Sequence, residues 1–128
     1  SSYYLKAVEK VPGIDALIKF VSENYRFGLL TNIYSGGLDD LHKNNMLPEV
    51  KFDVIIDSSK EGLIKPDQKI YKLAQKRAGF ESTEILLIDD VMANLVAAQK
   101  NGWHTLWFDS ASPEESIQNI LKALEPIK

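Results

Sequence analysis

Apolar residues recur at helical spacing through Ile14, Leu17, Ile18 and Val21, with Ala7 and Val11 ahead of them, and the pattern predicts a helix over 12–23. Pro12-Gly13 separates that helix from an approach segment. Past Asn24 the period changes. Phe27-Gly28-Leu29-Leu30-Thr31-Asn32 is a short apolar run between turn formers, as expected of a strand buried on both faces. Ser35-Gly36-Gly37 reads as a loop, 38–45 as a helix, 52–57 as a second strand and 58–64 as a polar loop. Ile70, Tyr71, Leu73, Ala74 and Ala78 then return to helical spacing behind Lys65-Pro66-Asp67, and Gly79 stops them. A strand over 85–88 runs into Asp89-Asp90, a helix over 91–100 ends at Asn101-Gly102, and 105–108 is the last strand. From Pro113 onward, Ile117, Ile120, Leu121 and Leu124 form one more amphipathic helix. Alternating strands and helices imply an α/β layered fold with a mostly parallel sheet, because parallel neighbours need crossover helices. With no repeat, low-complexity stretch or internal boundary, 1–128 reads as a single domain.

Composition narrows the function classes. The 128 residues carry 15 Lys+Arg against 18 Asp+Glu, a net charge of −3, and no basic run longer than a pair. The basic stripe that nucleic acid or an anionic membrane would require is missing, and neither is expected as a partner. Apolar runs stop far short of the ~20 residues that span a bilayer, and no segment reads as a secretory signal, so the expectation is a cytoplasmic protein. The absence of cysteine removes disulfides, thiolate catalysis and zinc–cysteine sites. The chain opens Ser1-Ser2-Tyr3-Tyr4 without a methionine, as a processed or excised piece would.

In an open parallel sheet the ligand crevice lies beyond the carboxyl ends of the strands, and three polar clusters stand there. Thr31-Asn32, with Ser35, Gly36 and Gly37 beyond, offers a hydroxyl and backbone N–H groups to phosphate oxygens; the alternative is a turn that caps the next helix. Lys65, held by Pro66, is either a fixed positive charge in the crevice or a solvated lysine beside a helix start. Asp89-Asp90 places two carboxylates side by side at the end of a buried strand, so a cation, a lysine or helix amides must compensate them. Hard oxygen ligands of this kind suit Mg²⁺. Hydroxyl, lysine and acid pair at three strand ends together make a constellation for handling phosphate with a metal.

These residues resemble the haloacid dehalogenase-like (HAD) hydrolase superfamily, in particular its phosphatase-like members. The likeness is carried by Pro12-Gly13-Ile14, Leu29-Leu30-Thr31-Asn32, Gly62-Leu63-Ile64-Lys65-Pro66-Asp67 with Ile70-Tyr71, and Leu87-Ile88-Asp89-Asp90 through Asn94, Ala97-Ala98 and Gly102. It implies a Rossmann-like three-layer sandwich and a Mg²⁺-dependent phosphatase that acts on a small phosphorylated substrate through an aspartyl-phosphate. By the resemblance, Thr31 hydrogen-bonds the transferring group, Asn32 shapes its pocket and Lys65 neutralises nucleophile and phosphate. Asp90 ligates Mg²⁺ and Asp89 acts on the metal's water shell. True dehalogenases are expected to carry Ser and Asn around the acid pair, so the likeness leans towards phosphatase.

The family's nucleophile does not appear. It belongs to an Asp-x-Asp motif ending the first, central strand, and no two of the aspartates here lie two positions apart. Asp57 and Asp109 also end strands and read as turn or capping residues. The resemblance therefore implies a core missing its first central strand and its cap, with 1–11 the approach from the lost cap. An empty central slot would hold its flanking strands ~10 Å apart. One of three repairs is expected: a complementary N-terminal fragment, a second copy of the chain, or direct closure of the flanks. The chain alone should then not turn over phosphate esters. A non-catalytic interaction module derived from such a hydrolase is the alternative; a receiver-like signalling domain would place its acid pair before the threonine and lysine, the reverse of the order here. His42 and His104 read as surface or core residues, Trp103 and Trp107 as packing residues, and Tyr3 and Tyr4 as an aromatic patch once covered by the cap.

Overall fold

A computed structural model describes residues 13–45 and 50–124 with their side chains and residues 2–5 as backbone. The strands β1 (Ser2–Leu5), β2 (Arg26–Thr31), β3 (Val54–Asp57), β4 (Ile85–Asp89) and β5 (His104–Trp107) form one sheet in the order β3-β2-β1-β4-β5. Every pairing is parallel, as the alternation of elements predicts. The helices are α1 (Ile14–Asn24), α2 (Gly37–Lys43), α3 (Ser58–Glu61), α4 (Gln68–Ala78), α5 (Met92–Lys100) and α6 (Pro113–Leu124), with a 3₁₀ turn over Ser82–Glu84 before β4.

Alternation along the strands sends side chains to two faces, and each face has its own core. Phe27, Leu86 and Ile88 pack under α1 and α6 through Ile14, Leu17, Ile18, Val21, Ile117, Ile120 and Leu124. On the other face Leu30, Ile56, Ile85 and Leu87 meet Ile70, Tyr71 and Ala74 of α4 and Leu95, Ala97 and Ala98 of α5. Strands that feed both cores are apolar at nearly every position, and for that reason the runs in β2 and β4 do not alternate. Gly79 ends α4 at φ +75°, a conformation that a side chain would strain.

The central slot is held by the chain itself. Ser2–Leu5 lies between β2 and β4, with Leu5 opposite Leu29 on one side and Ile88 on the other. This is a fourth way of closing the sheet, beside the three repairs expected from the sequence. The side chains of Tyr3 and Tyr4, and residues 6–11 of the expected approach segment, lie outside the described residues. The sequence reading also differs at smaller points. The 58–64 stretch, expected as a loop, opens with the single turn of α3, because the Asp57 side chain caps it. Trp103 is buried as expected, edge-on to Tyr71 at 5.3 Å. Trp107 is 50% exposed at the end of β5, so it is no core residue.

Candidate functional site

Lys65 joins the ends of two strands that do not touch each other. Its Nζ donates to the Leu30 carbonyl of β2 at 3.0 Å and to Asp89 Oδ2 of β4 at 2.8 Å, across the end of β1. Both side chains of the pair are wholly buried. The ammonium therefore sits inside the protein, one level beyond Leu5 and its partners Leu29 and Ile88. Asn32 fixes the backbone that carries it: Asn32 Nδ2 donates to the Lys65 carbonyl at 3.0 Å, and the Lys65 N–H donates to Asn32 Oδ1 at 2.9 Å. Thr31, buried, ends β2 directly after Leu30. Asp90, half-buried, follows Asp89, and its carbonyl accepts from Trp107 Nε1 at 3.1 Å. Thr31-Asn32 thus stand at the end of β2 and Asp89-Asp90 at the end of β4, while Lys65, between α3 and α4, reaches both strand ends with its Nζ.

The compensation required by two adjacent carboxylates is specific. Asp89 Oδ2 accepts from Lys65 and, at 3.1 Å, from Asn94 Nδ2, while Oδ1 accepts from the Val91 N–H at 2.9 Å. Burial pushes the Asp89 carboxyl up, but the Lys65 charge and these hydrogen bonds outweigh it and hold the group below its ordinary range. Asn94 is in turn anchored by the buried Tyr71 hydroxyl, which donates to its carbonyl at 2.9 Å. Burial and the nearby Asp89 charge keep that phenol well above its ordinary range, so it remains a donor. Sequence reasoning assigned no role to Asn94; the available signal was a single amide on the otherwise apolar buried face of α5.

Ser58 is the other residue the sequence did not reveal. Its Oγ accepts from the Ile33 N–H at 2.8 Å and donates to the Ile33 carbonyl at 3.1 Å, pinning the loop that follows Thr31-Asn32 to the end of β3. The same loop is closed by Gly37, whose N–H donates to the Tyr34 carbonyl and whose missing Cβ leaves room for Ile33. Amides expected to face a phosphate are therefore partly used within the loop. His42 and His104 are exposed, and among the described residues no group of three or more His, Asp or Glu side chains is placed to hold a metal. Asp89 uses both of its oxygens on these partners, and a cation at this turn would be led by the Asp90 carboxylate beside it. One carboxylate with waters and substrate oxygens is a donor set that fits Mg²⁺ and does not fit a metal needing a closed protein cage. No described helix is long and apolar enough to cross a membrane.

The relatives of this chain agree with the fold. It is 27% identical over 94% of its length to acyl-CoA dehydrogenase family member 10 of Mus musculus, spanning 11% of that protein. To an (S)-2-haloacid dehalogenase of Pseudomonas fluorescens it is 26% identical over 94% of its length, and to the glyceraldehyde 3-phosphate phosphatase of Pyrococcus abyssi 29% over 92%, spanning 56% of each. It thus spans about half or less of these proteins. A HAD family enzyme from Bacteroides thetaiotaomicron, solved with magnesium and inorganic phosphate, superposes with a TM-score of 0.65 at 28% identity over 73% of this chain and 50% of that one. The sequence profile of haloacid dehalogenase-like hydrolases matches residues 2–108, which include every strand, the Lys65–Asp89 pair and Asp90, and the chain belongs to that family.

Proposed function

We propose that this chain carries the cation- and phosphate-holding half of a Mg²⁺-dependent phosphatase site for small phosphoesters. A cytoplasmic setting belongs to the same proposal. The observation that carries it is the buried Lys65 ammonium tying Leu30 to Asp89 at the strand ends, with Asp90 beside it. Asp90 would hold the metal, which when bound neutralises charge on phosphate oxygens. Asp89 stays ionised and orients Lys65. Thr31 offers its hydroxyl to the anion, while Asn32 keeps Lys65 in place through both of its backbone bonds. The sequence contains no Asp-x-Asp pair to attack phosphorus, so these residues bind and orient without a nucleophile, and the chain alone is inactive.

Calorimetric titration of inorganic phosphate with and without Mg²⁺, together with p-nitrophenyl phosphate turnover, tests the reading. Mg²⁺-dependent phosphate binding that Asp90→Asn abolishes, with no turnover, is the expected result. Phosphate binding indifferent to Mg²⁺ and to Asp90→Asn overturns it.

A further inference from the structure

A second recess lies at the β3 edge of the sheet, where Asp57 is the register partner of Thr31. Leu29 and Ile55 are register partners and share one face of the sheet, the face that α1 and α6 cover over β2 and β4. The cover stops short of β3, where Ile55 remains 47% exposed. There α2 and α3 wall off a cavity of about 620 Å³, with Leu29, Ile55 and Phe52 among its apolar lining and Asp57, His42 and Lys60 among its polar lining. Its size falls in the roughly 300–1,000 Å³ range of small-molecule sites. It shares no residue with the five of the candidate phosphatase site.

Its polar side is asymmetric. Asp57 is only 3% exposed, a carboxylate recessed into the wall. Oδ1 accepts both bonds from Ser59, N–H at 2.9 Å and Oγ at 2.6 Å, and among the described residues Oδ2 accepts none. Glu61, also in the wall, is already matched by a two-pronged bond to Arg77 at 2.6 and 2.8 Å. Asp39 and Asp57 against Lys60 then leave one net negative charge over an apolar floor.

We propose that this cavity binds a small organic cation, with an aromatic or short aliphatic body on Leu29, Phe52 and Ile55 and an ammonium head donating to Asp57. An ammonium donates to the Asp57 oxygen that Ser59 does not use, and the apolar body displaces water from the exposed Ile55. The proposal does not rest on the phosphatase reading, because its ligand contains no phosphate and the cavity lining includes none of Thr31, Asn32, Lys65, Asp89 and Asp90.

The test is an NMR titration of the full chain, labelled at Ile, Leu and Val methyls, with 2-phenylethylammonium, 2-phenylethanol and 3-phenylpropanoate. The ammonium should shift the Leu29, Leu38 and Ile55 methyls saturably and bind about tenfold more tightly than either comparator. Asp57→Asn, which retains a side-chain oxygen to cap α3, should remove that preference, and Leu38→Trp, which fills the cavity, should abolish binding of all three. Equal binding of ammonium and carboxylate by the unmodified chain, or shifts scattered outside the cavity, overturns the proposal whatever the variants do.

Discussion

Lys65 and Asp89 form an ion pair whose value depends on what each would become without the other. Both are wholly buried, and Asp89 accepts three hydrogen bonds while Lys65 also donates to Leu30. Removing one partner of such a pair leaves an uncompensated charge, at about 3–5 kcal/mol; removing both takes that charge away. Lys65→Met should therefore destabilise the chain by about that amount in urea unfolding, and Lys65→Met with Asp89→Leu should recover most of it. The recovery stays incomplete because the Val91 N–H and the Asn94 amide lose their acceptor, each worth about 1 kcal/mol. Titration follows the same logic. The Asp89 carboxyl is held below its unfolded range, so the stability it contributes is present above the unfolded carboxylate pKa of about 4 and is lost as pH falls through the lower, folded value. Unfolding midpoints measured from pH 6 down to pH 2 should fall in that acid window. The double variant should show a shallower decline.

At the level of elements, legibility followed the packing that produces each pattern. α6 and α1 bury one face each, so their spacing is visible in Ile117, Ile120 and Leu124 and in Ile14, Leu17, Ile18 and Val21. β4 is buried along its whole length and stands out as a pure apolar run. α3 lacked any such mark, since one turn is too short for a period and its stability comes from the Asp57 cap. At the site, residue type at a strand end, or before a helix start for Lys65, marked Thr31, Asn32, Lys65, Asp89 and Asp90 as candidates. Who bonds to whom was not legible. Lys65 reads in sequence as a charge offered to the crevice, but its ammonium is spent on bridging β2 and β4, a contact between residues 35 and 24 positions apart. Ser58 and Asn94 were hidden for the same reason, because their partners Ile33 and Asp89 are named only by the fold.

For the whole molecule, the four residues of β1 decide whether there is one sheet or two. β1 pairs over its full length with β2 on one side and β4 on the other, and β3 and β5 are reached only through those neighbours. Without it the flanking strands would stand ~10 Å apart, out of hydrogen-bonding reach. Each buried backbone group left unpaired then costs about 1–3 kcal/mol, and several such groups are comparable with the roughly 5–15 kcal/mol that holds a typical domain together. Deleting residues 1–5 should consequently leave a chain that unfolds or self-associates, read by circular dichroism and by light scattering after size exclusion. An extended peptide added in trans should restore the fold and size of the untruncated chain by taking the same slot. The slot also has a chemical direction. It ends at Leu5, one level below Leu30 and Asp89, where the Lys65 ammonium stands. A peptide carrying Asp-x-Asp at its carboxyl end would bring a carboxylate to that ammonium. It should bind the truncated chain more tightly than its Asn-x-Asn counterpart and should be the one that brings Mg²⁺-dependent phosphatase activity. A truncated chain whose size and spectrum match those of the untruncated one would show instead that β2 and β4 have another way to close, and that β1 is dispensable.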